Sequence, residues 1–177
     1  ASYFWVGSEA PILGQYPHYY YKYKHDTPGE IRTKQVLDWL KMPAVNRPHF
    51  ITLYFSRVDS AGHKYGPDSL EVKEALFQVD DLLGNLLRET KKLKLPLNTI
   101  IVSDHGMQAI SENKVIYIDE IIPNQKDIKI IGKGSFSMLY ISRPEIQNSL
   151  YKKLKDHPHL DVYKRSNIPK RLHFSKD

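Results

Sequence analysis

Two short polar clusters carry the side chains best able to do chemistry. One is Asp59-Ser60-Ala61-Gly62-His63 and the other is Asp104-His105-Gly106. Asp and neutral His are good zinc ligands, and carboxylates also suit magnesium or manganese. The chain has no cysteine, so a thiolate zinc site and a disulfide scaffold are excluded, and any metal must be held by His, Asp or Glu. Asp59 and His63 can close on one ion if Gly62 lets a loop turn tightly. Adjacent Asp104 and His105 can share an ion only once the chain has left a strand, because inside one they point to opposite faces. Taken singly, each cluster reads as a surface loop or a turn. Together they lie just past the ends of consecutive expected strands, where α/β proteins place their sites.

The elements that must position these residues follow from periodicity. Residues 50–55, Phe-Ile-Thr-Leu-Tyr-Phe, form a short apolar run expected to be a buried strand, followed by a loop over 56–67. A long helix is expected over about 69–94, with Val72, Ala75, Leu76, Val79, Leu83, Leu86 and Leu87 on its apolar stripe. Asp68 and Glu71 resemble a capping box at its start. Residues 98–103 are expected to be a second buried strand. Strand, helix and strand then make a βαβ unit with a right-handed crossover, in a parallel sheet covered on both faces. Upstream, residues 1–28 are rich in Tyr, Pro and Gly and read as an ordered loop. A helix is expected over 30–41, with Thr33, Val36, Leu37 and Leu40 on one face and Pro43 beyond its end. Downstream, 115–118, 128–131 and 138–141 read as strands and 145–155 as a short helix.

Composition bounds the rest. The 177 residues suit one domain or a large piece of one. With 41% hydrophobic and 26% charged residues, the chain matches an ordinary folded protein and not a disordered one. No run approaches the ~20 apolar residues of a transmembrane helix. Ala1-Ser2-Tyr3-Phe4-Trp5 lacks the pattern of a signal peptide, and the absence of an initial Met suggests a start inside a longer precursor. Net charge is +6, and it is uneven: over 150–177 eight basic residues face three acidic ones. That stretch is either a solvated basic tail or a surface for an anionic partner.

Longer motifs resemble a known family. Thr52-Leu53-Tyr54, Asp59 to Pro67 (Asp-Ser-Ala-Gly-His-Lys-Tyr-Gly-Pro) and Ser103-Asp104-His105-Gly106-Met107 closely resemble the nucleotide pyrophosphatase/phosphodiesterase family of the alkaline phosphatase superfamily. Phe4-Trp5-Val6-Gly7-Ser8-Glu9 is similar to its Phe-Trp-Pro-Gly-Ser-acidic segment, with Val6 in place of Pro, and Pro169-Lys170-Arg171-Leu172-His173-Phe174 also looks familial. The resemblance implies an alkaline-phosphatase-like α/β fold, a mainly parallel central sheet flanked by helices, incomplete here. It implies two zinc ions, with Asp59 and His63 matching ligands of one and Asp104 and His105 ligands of the other. Trp5 and Tyr23 match positions near a bound nucleotide, Tyr23 being the expected base-stacking residue. It implies cleavage of phosphodiester or pyrophosphate bonds with release of a nucleoside 5′-monophosphate, and a parent that is secreted, periplasmic or membrane-anchored.

The family's Thr nucleophile has no match here: Thr27, Thr33, Thr52, Thr90 and Thr99 lack its context. That Thr and one Asp ligand are expected upstream of residue 1, and a last His ligand downstream of residue 177. Two zinc ions want about six protein ligands, and the two motifs supply only four of them. Residues 1–177 are therefore expected to be the interior part of a single catalytic domain, inactive alone. The expected partner is a nucleotide or another phosphodiester, with no specific nucleic acid and no transmembrane segment. A non-catalytic nucleotide- or polyanion-binding module is the alternative, and it predicts binding that survives chelation. A sulfatase would need a modified Cys or a suitable Ser, which the chain lacks; monoester and diester substrates are not separated by the ligands alone.

Overall fold

The computed structural model describes residues 1–5, 7, 8, 10–122, 126–132 and 134–174. Val6 and Glu9 of the Trp-containing segment, and Ser175, Lys176 and Asp177 of the basic end, lie outside the described residues. The chain divides into two compact units, Ala1–Ile110 and Ser111–Asp177.

The first unit is built on a parallel sheet. β1 (Ser2–Tyr3) lies between β2 (Tyr20–Tyr21) and β3 (Thr52–Leu53). Ser2 is in register with Tyr20 on one side and Thr52 on the other. The Ala1 nitrogen donates to the Phe50 carbonyl at 2.7 Å and the Thr52 hydroxyl to the Ser2 hydroxyl at 3.0 Å, which fastens β1 to β3. Two strands thus fall within 1–28, where the sequence suggests only a loop. Two-residue strands bounded by Pro and Gly carry no measurable alternation. The strand expected over 50–55 shrinks to Thr52–Leu53 and is half-buried, with Phe50 75% exposed.

α1 (Gly29–Leu40) agrees with expectation to within a residue. It buries Val36, Trp39 and Leu40 against Tyr3 and Phe4, which makes the core of this unit. Residues 57–65, expected to be a loop, instead form α2 (Arg57–Tyr65). Ser, Asp and Gly are poor helix formers, so propensity points away from helix here; packing against the next helix overrides it. That helix, α3 (Leu70–Lys92), matches the long amphipathic pattern. Its cap is Ser69 rather than Asp68: Ser69 is extended and its hydroxyl accepts from the Val72 N–H at 3.3 Å.

Residues 98–103 form no strand, contrary to expectation, and the βαβ crossover is absent among the described residues. Ile100, Ile101 and Val102 are 83%, 65% and 66% exposed. A strand exists only through its ladder, and no described strand pairs with this run.

In the second unit, the expected strands β4 (Ile128–Ile131) and β5 (Met138–Ile141) are present and pair antiparallel, with Ile128 opposite Ile141. The connection turns through Gly132 at φ 103°, where a Cβ would meet the Phe136 carbonyl. Residues 115–118 are not a strand. A single 3₁₀ turn (Glu112–Lys114) leads instead to the short helix α4 (Ile118–Ile121). α5 (Gln147–Lys155), led in by a 3₁₀ turn at Pro144–Ile146, places Leu150 and Leu154 against Ile122 and Ile128. No described helix is long and apolar enough to cross a membrane.

Candidate metal centre

The helical form of α2 decides how its motif works. Asp59 and His63 stand four residues apart and so share one face. The His63 Nε2 lies 3.3 Å from Asp59 Oδ1. Gly62 is therefore not a turn glycine. A Cβ on it would collide with the Met107 side chain, so its role is to admit that side chain. This contact lays the segment 103–107 against α2 and brings the second motif to the first.

His105 is oriented by its own backbone. Its Nδ1 lies 2.9 Å from the Gly106 carbonyl, which can only accept, so Nδ1 carries the proton. In the neutral ring Nε2 then offers its lone pair, as a metal ligand must. That Nε2 is 3.5 Å from Asp104 Oδ2 and 3.8 Å from Asp59 Oδ1. Ser103 Oγ donates to the His105 carbonyl at 2.5 Å and steadies the same turn. The His105 pKa is raised, first by the bond to the Gly106 carbonyl, then by Asp104 and, less, by Asp59.

Asp59 is the shared neighbour of both imidazoles. Its Oδ1 is buried and has no hydrogen-bond partner among the described residues, for all that His63 comes within 3.3 Å. The approach is short but not aligned as a hydrogen bond. A buried carboxylate oxygen without a donor costs ~1–3 kcal/mol or more, and a cation removes that cost. Two carboxylates and two imidazoles are a donor set suited to zinc. By residue type the four side chains suit a metal. They do not form a finished cage, since no group of three or more His, Asp or Glu among the described residues is already arranged to hold an ion.

Trp5 and Tyr23 are both 43% exposed at the aromatic edge of this unit. Tyr23 hydrogen-bonds His25 Nδ1 at 2.8 Å, and its ring lies 5.6 Å from Phe4 and 6.4 Å from Tyr54. Tyr54 joins the two regions. Its phenol pKa is raised, first by burial, then by Asp59 and Asp104 and more weakly by Tyr23.

Sequence reasoning missed Arg32. It is 3% exposed and donates to the carbonyls of Thr27, Tyr54 and His25 at 3.0, 2.9 and 3.1 Å. Its guanidinium also lies 4.8 Å from the Phe4 ring centroid. It thereby ties the aromatic loop to the end of β3. Burial lowers its pKa, and nearby Tyr23, Tyr3 and Tyr54 oppose that. Phe4 itself is buried at φ 62°, a left-handed conformation that costs strain in a bulky residue. Arg32 carries no signal in the sequence, and nothing there marks the left-handed backbone of Phe4.

Comparisons with known proteins place these features in context. The family model described as type I phosphodiesterase / nucleotide pyrophosphatase matches residues 1–177. The chain is 38% identical over 185 residues to human ectonucleotide pyrophosphatase/phosphodiesterase family member 1, covering 99% of this chain and 20% of that protein. It is 38% identical over 190 residues to the venom phosphodiesterase of Naja atra, covering 100% of this chain and 22% of the relative. The chain thus spans about a fifth of the length of these curated relatives. Among solved structures, inactive murine ectonucleotide pyrophosphatase/phosphodiesterase 5 in complex with AMP superposes with a TM-score of 0.86 at 29% identity, covering 98% of this chain and 46% of that one.

Proposed function

Because the chain belongs to the type I phosphodiesterase / nucleotide pyrophosphatase family, we propose that it supplies part of the active site of a two-zinc hydrolase. That enzyme cuts phosphodiester or pyrophosphate bonds and releases nucleoside 5′-monophosphates. The carrying observation is the buried, unbonded Asp59 Oδ1 with His63 and His105 within 3.8 Å. Asp59 and His63 would hold one ion, and Asp104 and His105 the other. When bound, zinc supplies a hydroxyl nucleophile of lowered pKa and charge to steady the leaving oxygen.

The chain's own residues do the rest. The Gly106 carbonyl fixes the His105 tautomer, so that Nε2 carries the lone pair on the side of Asp104 and Asp59. Trp5 and Tyr23 would hold the nucleotide, and stacking on an aromatic ring contributes ~1–3 kcal/mol with little regard for which base is bound. Arg32 keeps the loop carrying Tyr23 against the end of β3. AMP in the related solved structure is compatible with a nucleotide substrate. We also place the parent outside the cytoplasm, as the ecto- and venom enzymes among its relatives suggest.

The test is turnover of a nitrophenyl nucleoside phosphodiester by the full parent protein with zinc. Asp104→Ala should abolish it, and full activity in that variant would refute the assignment. The 177-residue chain with zinc should show none. Turnover by it would place a nucleophile within these residues.

A further inference from the structure

A recess lies in the first unit, and none of the four proposed metal ligands lines it. This cleft, about 360 Å³, opens where α1 and α2 begin, with Val79 and Leu82 of α3 on its apolar side. Gly29 and Arg57, the first residues of α1 and α2, both line it. Neither helix has a side-chain cap, since Pro28 offers none and Ser56 makes none. Among the described residues, the amides of residues 29–31 and 57–59 have no acceptor. Helices of 12 and 9 residues thus bring two ends without side-chain caps to one cavity, each with one acid, Glu30 or Asp59, in its first turn and neither acid in the cavity wall.

Helix ends alone are common surface features. Ser56 adds an independent observation. It lines the cleft and is 7% exposed, and its hydroxyl has no hydrogen-bond partner among the described residues. Its backbone, at φ −93° and ψ −7°, is helical, unlike the extended form of a capping serine. Its carbonyl is already engaged by the Ser60 N–H and hydroxyl at 2.9 and 2.8 Å. The hydroxyl is not among the buried atoms that lack a partner, so in this otherwise buried residue it opens onto the cavity and is free to bond what enters there. Arg57 stands beside it. One of its nitrogens, Nη1, is anchored on Gln78, and its remaining donors stay available. The buried guanidinium of Arg32 also lines the cleft and pairs with no described carboxylate. Asp26 is the one acidic residue in the wall.

We propose that this cleft binds an oxyanion, a phosphate or a carboxylate, received by the Ser56 hydroxyl, the opening amides of α1 and α2, and Arg57. The site is separate from the proposed zinc centre and does not rest on it.

Amide NMR shifts of the 177-residue protein, followed during titration with inorganic phosphate and separately with acetate, test the proposal. A chelator keeps the metal centre empty, and sodium chloride holds ionic strength constant. Saturable shifts are expected at Gly29, Glu30, Arg57 and Val58. Ser56→Ala and Arg57→Gln should each raise Kd at least fivefold, and Asp26→Asn should lower it. Ser56→Ala should keep the thermal midpoint of the anion-free protein, since that hydroxyl makes no bond there. Tighter binding of phosphate identifies a phosphoryl ligand, and tighter binding of acetate a carboxylate. The proposal is overturned if neither anion gives saturable shifts, if both variants leave Kd unchanged, or if shifts appear only at residues 59, 63, 104 and 105.

Discussion

His105 has one ring nitrogen fixed and the other directed at carboxylates. Without metal, that setting favours the protonated ring, through the Gly106 carbonyl first, Asp104 second and Asp59 last. A folded-state pKa raised above the unfolded value of about 6.5 means a stabilising contribution that is fully present below that value. The contribution is lost as pH rises through the raised pKa. The urea midpoint of the metal-free protein should therefore fall over this interval, and His105→Gln should flatten the fall. Zinc competes with the same proton, so its affinity should rise with pH across the same interval. Asp59 is the sharper case. Asp59→Asn keeps the shape but removes the carboxylate that both imidazoles face. Calorimetry should show zinc affinity reduced by roughly 10–100-fold or more, on the scale seen when even supporting groups of metal sites are lost. An unchanged Kd would remove Asp59 from the ligand set. Both motifs were legible at this scale because ligand chemistry restricts residue type. Arg32 and Tyr54 were not, because their roles depend on burial that no short motif encodes.

At the scale of elements, α2 carries the main lesson. The sequence of residues 57–65 argues for a loop, yet the helix puts Asp59 and His63 on one face without any help from a glycine turn. Gly62 lets Met107 approach instead. This reverses an ordinary expectation. In an exposed helix interior Gly→Ala stabilises by ~1 kcal/mol. Here the new methyl must push the flexible end of Met107 aside, so Gly62→Ala should lose that gain and destabilise by up to ~1 kcal/mol. Chemical denaturation measures the sign, and adding Met107→Ala should recover much of the loss. Had Gly62→Ala alone proved stabilising, the contact would carry no weight. The long helices were legible because α1 and α3 have a sustained 3.6-residue period. The strands of the first unit were not, since pairing between chain segments, and not pattern within one, defines them. Residues 98–103 show the converse: a strongly apolar, β-prone run with no ladder.

For the whole molecule, two cores are evident. One is formed by Tyr3, Phe4, Val36, Trp39 and Leu40, and the other by Ile122, Ile128, Leu150 and Leu154. The parallel sheet is small, and the run Ile100, Ile101 and Val102 remains open to solvent. Exposed, unpaired apolar β-formers are templates for association between chains. Ile101→Lys should delay the rise in light scattering at equal protein concentration. An unchanged onset would place the sticky surface elsewhere. The family's overall α/β character could be read from the sequence, as strand-prone runs alternating with helices. The extent of the sheet could not, because it depends on which segments find partners.

The seat of Met107 against Gly62 also has a chemical consequence. A thioether is readily oxidised, and the sulfoxide is bulkier and polar. Sulfur sits where a Cβ on the glycine opposite would be, so an oxygen added on that side would collide with α2 and favour a side chain turned away from it. Mild peroxide should release the segment carrying Asp104 and His105 from α2 and lower zinc affinity. Methionine sulfoxide reductase should restore it, while Met107→Leu should make the protein indifferent to the oxidant. Zinc titrations before and after treatment, with the modified methionine assigned by mass spectrometry, would show whether this half of the site is sensitive to its redox surroundings.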